Sequence, residues 1–196
     1  MTTRTNILNP GTLAQASTNR LLKTGALVVG ASLFMALCAH VSVPLIFSPV
    51  PITLQPFGIL LIGMLLGSRA GAAALVLYLL EGVAGLPVFS PAGPGGILQL
   101  LGPTGGFLMA SPVAAFVAGN IFESRKTFGG AILSSIAAEA VLFVAGAAWL
   151  ILVTQVSLAN AMTMAVLPYI PGEVLKVAAA SAIVARWNSP GGQQRR

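Results

Sequence analysis

Long apolar stretches without charge alternate along the chain with short breaks that hold almost every charged side chain. A helix needs about 20 residues, within a range of about 17–25, to cross the hydrocarbon core of a bilayer. On that scale six helices are predicted, near residues 21–43, 56–67, 70–83, 106–122, 128–154 and 168–186. The first stops before Pro44, and the second and third are short. The fold class that follows is an all-α integral membrane protein with six transmembrane helices and both termini cytoplasmic. The polar stretches 1–23 and 188–196 are expected to be disordered cytoplasmic tails, which leaves 24–187 as one membrane domain.

Two loops break the helical pattern in an unusual way. Residues 44–55 contain Pro44, Pro49 and Pro51, and residues 82–105 are rich in glycine and proline. Both are nevertheless apolar, with Phe47, Ile52, Phe89, Ile97 and Leu98. Solvated linkers do not have this composition. Irregular backbone near a membrane is tolerated where it is buried in protein or lines a cavity. These loops are therefore expected to be ordered and to fold over the outer end of the bundle, capping a ligand pocket.

Composition sharpens the picture. Only 7% of the 196 residues are charged and 56% are hydrophobic, whereas soluble domains carry about 25% charged residues. Nine of the ten Lys and Arg residues fall on one side if the chain crosses six times. These are Arg4, Arg20, Lys23, Arg69, Arg125, Lys126, Arg186, Arg195 and Arg196. Five or seven crossings would break that asymmetry, which is the positive-inside pattern. The net charge of +6 is thus absorbed by topology, and nucleic-acid binding is not expected. The first apolar run is too long for a signal-peptide core. Cys38 is the sole cysteine, so no internal disulfide forms. In the first helix Ala26 and Gly30, then Ser32 and Ala36, repeat small residues every four positions. Such pairs let helices approach closely in lipid, either within the bundle or as a docking face for another membrane protein.

Catalytic chemistry is missing. One His, one Cys and four acidic residues, all Glu, supply neither a metal-ligand cluster nor a Ser-His-acid arrangement. The pairs Lys23-Thr24 and Lys126-Thr127 lack the glycines of a phosphate loop. The chain is expected to be no enzyme, and to hold no metal and no cofactor.

The tenth base is Lys176, in the run Leu167-Pro-Tyr-Ile-Pro-Gly-Glu-Val-Leu-Lys176. Pro171 suits the first turn of a helix, which puts Glu173 at the positive end of the helix dipole. Lys176 follows at i+3 on the same face. A charged pair at membrane depth either stabilises a helix start, with the lysine snorkelling outward, or binds something. Its position beneath two apolar loops favours binding. Gln55, at the end of the first loop, adds an amide. Phe47, Phe57, Phe89, Phe107 and Tyr169 are candidate walls. Glu81 either caps the lid or touches ligand. Glu139, among alanines in the fifth helix, either is protonated and hydrogen-bonded to a neighbouring helix or is coupled to the pocket, with the structural reading slightly favoured. Trp149 and Trp187 fit interfacial anchors.

Four segments, in this order, carry a resemblance: Pro44-Leu-Ile-Phe-Ser-Pro-Val-Pro-Ile-Thr-Leu-Gln55, Gly85-Leu-Pro-Val-Phe89, Leu101-Gly-Pro-Thr-Gly-Gly106 and Pro171-Gly-Glu-Val-Leu-Lys176. Together they resemble the BioY family, the biotin-specific S components of energy-coupling factor (ECF) transporters. The resemblance covers residues 24–187. It implies a six-helix protein of the prokaryotic plasma membrane that captures biotin from outside. It also implies two kinds of partner, a transmembrane coupling subunit and a pair of ABC-type ATPases. The family's acidic-x-x-Lys pair falls on Glu173 and Lys176, with Glu where Asp is usual, and its loop glutamine falls on Gln55. Gln99 stands for the polar contact of the second loop. The small-residue face of the first helix is similar to the surface that S components turn toward the coupling subunit. The readings left open are an S component for another vitamin, a stand-alone facilitator or small channel, and pairing with a second copy of the chain.

Overall fold

The computed structural model describes residues 10–187, with side chains from Thr18 onward. The expected tails at residues 1–9 and 188–196 lie outside the described residues. Eight helices and one hairpin follow in the order α1 (Pro10–His40), β1 (Ser42–Leu45), β2 (Ser48–Thr53), α2 (Gln55–Leu66), α3 (Ser68–Val83), α4 (Gly96–Leu101), α5 (Gly105–Ser124), α6 (Phe128–Thr154), α7 (Leu158–Ala165) and α8 (Ile170–Trp187). The protein is mostly helical, as its apolar pattern predicts. Three helices are long and apolar enough to cross a bilayer: residues 18–40 of α1, then α5 and α6. A fourth crossing forms if α7 and α8, bent by 51° at their junction, act as one. Helix α1 begins at Pro10, so residues 10–23 are helical rather than an irregular tail.

Three elements differ from the all-α expectation. The first proline-rich loop is an antiparallel hairpin pairing Ser42 with Thr53 and Val43 with Ile52, with a register irregularity between Val43 and Leu45. Prolines cannot donate to a ladder, so the pairing persists around Pro44, Pro49 and Pro51 through their neighbours. It also gives partners to backbone groups that would otherwise lie bare beside lipid. The second loop contains the short helix α4. The sixth predicted helix stands as α8, and an additional short helix, α7, precedes it, capped by Ser157 Oγ accepting from Asn160 N–H at 3.3 Å. The chain then turns through Val166–Tyr169 before α8, where Pro168 disfavours helix in the residue preceding it.

Helix α2 is the hub. It packs against α1, α3, α5, α6 and α8, and its seven consecutive residues from Gly58 to Met64 are all buried. A helix apolar on every side belongs inside a bundle, which explains why this segment carries no amphipathic stripe. At its end Gly67 adopts φ +85°, and Ser68 N–H donates to Glu123 Oε1 at 2.8 Å. Glu123, on α5, thus supplies the N-terminal acceptor that α3 lacks locally. The outward faces stay apolar, with Leu33 and Leu37 on α1, Val144 and Leu152 on α6, and Val174 and Leu175 on α8 exposed. Lipid rather than water is the solvent such faces suit.

Close approach depends on missing side chains. A Cβ on Gly63 would sit 2.4 Å from Ala115 O, and one on Gly119 would sit 2.4 Å from Ser68 N. Overpacking of this kind costs about 1–3 kcal/mol. Gly119→Val or Gly63→Val is therefore expected to lower the melting temperature in detergent by roughly 3–10 °C. Gly30→Ala, with nothing within 4 Å of the added carbon, should leave it nearly unchanged. Equal melting of all three variants would refute the packing account.

Candidate functional site

A cavity opens where β2, the starts of α2 and α5, the middle of α6 and the α7–α8 junction converge. Its walls are mostly apolar, with Phe107, Leu142 and Phe143 among them. The ring of Phe107 is seated against Gly146, where a Cβ would lie 2.2 Å from it.

Glu173 reaches this cavity from the first turn of α8, as the position of Pro171 predicts. It is only 6% exposed. Its backbone N–H donates to Tyr169 O at 2.9 Å. Lys176 Nζ donates to Glu173 Oε1 at 2.7 Å and to Thr53 O, on the hairpin, at 2.7 Å. Lys176 therefore does not snorkel outward. It joins α8 to the hairpin with two of its three N–H groups.

The other predicted residues divide into those that line the cavity and those that do not. Gln55 lines it, donating through Nε2 to Tyr78 Oη at 3.0 Å and accepting from Thr53 Oγ1 at 3.3 Å. Gln99 lines it, 3% exposed. Its Nε2 donates to Ser90 O at 3.3 Å and its Oε1 accepts from Gly95 N–H at 3.1 Å, so it staples the second loop together. Tyr169 lines it too, donating to Val50 O and lying 3.1 Å from Ser48 Oγ, which in turn donates to Met164 O at 2.6 Å.

Four predicted residues lie elsewhere. Phe89 packs edge-on against Tyr78, with ring centroids 5.3 Å apart, in a seat formed by Gly82. Phe57 packs against the core without lining the cavity. Phe47, at the hairpin tip, is 60% exposed and forms no wall. Glu81 accepts a hydrogen bond from Ser32 Oγ in the seam between α1 and α3, away from the cavity. That contact also corrects the small-residue face: Ser32 is fully buried and turned inward, while Ala26 and Gly30 are exposed and Ala36 is half-buried.

Of the two readings open for Glu139, the structure favours the pocket: it lines the cavity, 7% exposed. Among the described residues, two buried side-chain polar atoms have no hydrogen-bond partner: Glu139 Oε1 and Glu173 Oε2. Both belong to the same cavity. Buried polar atoms are nearly always partnered, so the site is built with vacant acceptors beside one ammonium. It suits a compact ligand that brings N–H groups and an oxygen. No cluster of metal-ligating residues occurs among the described residues.

The chain matches the BioY family over residues 9–191. It is 36% identical over 158 residues to the "Probable biotin transporter BioY" of Pyrococcus horikoshii, covering 79% of this chain and 91% of that protein. It is 33% identical over 162 residues to the "Biotin transporter BioY" of Thermotoga maritima, covering 81% and 94%. A crystal structure of "the S-component for biotin from an ECF-type ABC transporter" superposes with a TM-score of 0.79 at 28% identity, covering 90% of this chain and 96% of that one.

The Tyr169 hydroxyl is the hairpin's anchor to the α7–α8 junction. A hydrogen bond of this kind contributes about 0.5–1.5 kcal/mol net. Tyr169→Phe should accordingly speed amide exchange across residues 48–53 by about fivefold, with the exchange of α5 and α6 unchanged. Unaltered hairpin exchange by mass spectrometry would remove the anchoring role.

Proposed function

The chain belongs to the BioY family, and on that premise we propose that it is the substrate-capture subunit for biotin uptake across the plasma membrane of a prokaryotic cell. It is a transport component and not an enzyme. The observation that carries the reading is the buried Glu173–Lys176 ion pair, whose Glu173 lines a largely apolar cavity beneath the hairpin and the α4 loop.

Biotin has a neutral ureido ring, an apolar sulfur ring and a valerate tail. Glu173 accepts from a ureido N–H through its vacant Oε2, and Lys176 donates its remaining N–H to a ligand oxygen. The aromatic and leucine walls take the fused rings. Gln55, Gln99 and Tyr169 hold the two loops that form the roof, with their polar atoms already engaged. They shape the site more than they grip the ligand.

The finer topology follows the charges. We assign six crossings to α1, α2, α3, α5, α6 and the α7–α8 pair, with both termini in the cytoplasm. Supporting this, Arg20, Lys23, Arg69, Arg125, Lys126 and Arg186 then share one side, the arrangement expected for cytoplasmic loops. The hairpin and α4 face outward, where biotin arrives. The chain has no ATP site of its own. Energy comes from a pair of ABC-type ATPases through a transmembrane coupling subunit, toward which α1 turns the exposed Ala26 and Gly30. Self-association forms no part of this reading.

Isothermal titration of the detergent-purified chain should show tight binding of biotin and none of riboflavin or thiamine. Preference for either of those vitamins would overturn the proposal. Hydrogen bonds to charged groups contribute about 1.5–3 kcal/mol. Lys176→Met and Glu173→Gln are each expected to weaken biotin binding at least tenfold. A Lys176→Met protein with wild-type affinity would remove the pair from the site.

A further inference from the structure

The proposed contacts leave one cavity group unused. Glu139 projects from the middle of α6 into the chamber that Glu173 enters from α8. Its Oε1 is buried and unpartnered, as is Glu173 Oε2. Both carboxyls line the one cavity. No other helix supplies either of them with a cation besides Lys176. Helix α2 has no ionisable residue from Gln55 to Leu66, and α7 has none from Leu158 to Ala165. The one acid of α5, Glu123, is occupied at Ser68.

Two carboxyl groups facing one ammonium leave the cavity short of hydrogen-bond donors. Lys176 has already placed two of its N–H groups, on Glu173 Oε1 and Thr53 O. A buried acceptor with nothing to accept is costly, and a packed interior does not retain two side by side without a use for them. The matching ligand surface is a group with two N–H donors flanking one carbonyl, which is a cyclic urea.

We propose that Glu139 is a ligand-contacting, specificity-determining residue that accepts one of the two ureido N–H groups of biotin while Glu173 accepts the other. This rests on biotin being the ligand and adds to that reading a second acid, from a second helix. The two nitrogens are thus read separately, one by α6 and one by α8. A group that only packed α6 against its neighbours would affect all ligands alike.

The test uses the full detergent-purified chain with biotin and with the two biotin derivatives methylated at one ureido nitrogen each, by isothermal titration. Wild-type protein should bind both methylated forms at least tenfold more weakly than biotin. In Glu139→Leu, biotin should weaken at least tenfold, and one of the two methylated forms should bind as well as biotin does. In Glu139→Gln, which keeps an acceptor oxygen, discrimination against both forms should persist. Wild-type protein that tolerates methylation at either nitrogen overturns the proposal without recourse to any variant. So does a Glu139→Leu protein that keeps both discrimination ratios. Absence of biotin binding by the wild-type chain would instead overturn the functional reading on which this one stands.

Discussion

Lys176 ties the ligand-binding half of the molecule together. Its ammonium donates at once to Glu173, one turn before it on α8, and to the backbone carbonyl of Thr53 at the end of the hairpin. In a low-dielectric interior an unpaired ammonium would be prohibitively unfavourable, so the lysine requires both partners. That requirement fixes the hairpin over the helix that carries the acid. The Tyr169 and Ser48 hydroxyls extend the same connection to the other end of β2.

The polar side chains around the cavity fall into two populations. Gln99, Tyr169, Ser48 and Trp149 spend their donors on loop backbone or on each other, as when Trp149 Nε1 donates to Gly102 O at 2.9 Å, and Gln55 donates to the Tyr78 hydroxyl. They turn chain that looks irregular in sequence into a fixed roof. Glu139 and Glu173 instead keep an oxygen free. A binding site needs the first group to be rigid so that the second can remain unsatisfied without the walls collapsing onto it.

Much of the frame was legible in the sequence because membranes impose simple rules. The apolar stretches located α2, α3, α5 and α6 closely, and the lone base away from the cytoplasmic cluster marked Lys176. The i+3 spacing then delivered Glu173 to it. The hairpin was not legible, because Pro44, Pro49 and Pro51 mask a strand pattern that only the pairing across residues 42–53 reveals. Helix α7 hid in a segment too short and too mixed to announce itself. Glu139 stayed open between helix contact and pocket because α6 is apolar all round, so periodicity gives no hint of which way any one side chain points. Phe89 and Phe47 were misjudged for a related reason: an aromatic residue in a loop says that something apolar is near, and a glycine such as Gly82 must be found before one knows what. Ser32 shows the limit of small-residue spacing. Its polar oxygen had a partner in Glu81, and that faced it inward.

The brevity of α2 has a geometric corollary. Twelve residues make a rod of about 18 Å, well short of the roughly 30 Å hydrocarbon slab, and it is the rod at the centre. Gln55, Pro56 and Ile59, where it begins, line the cavity as its floor toward α2. The chamber is thus subtractive, a vacancy left by an axle cut short and then thatched over. Each turn of α2 added or removed would shift that floor by about 5.4 Å. Axle length and chamber depth thus become one variable.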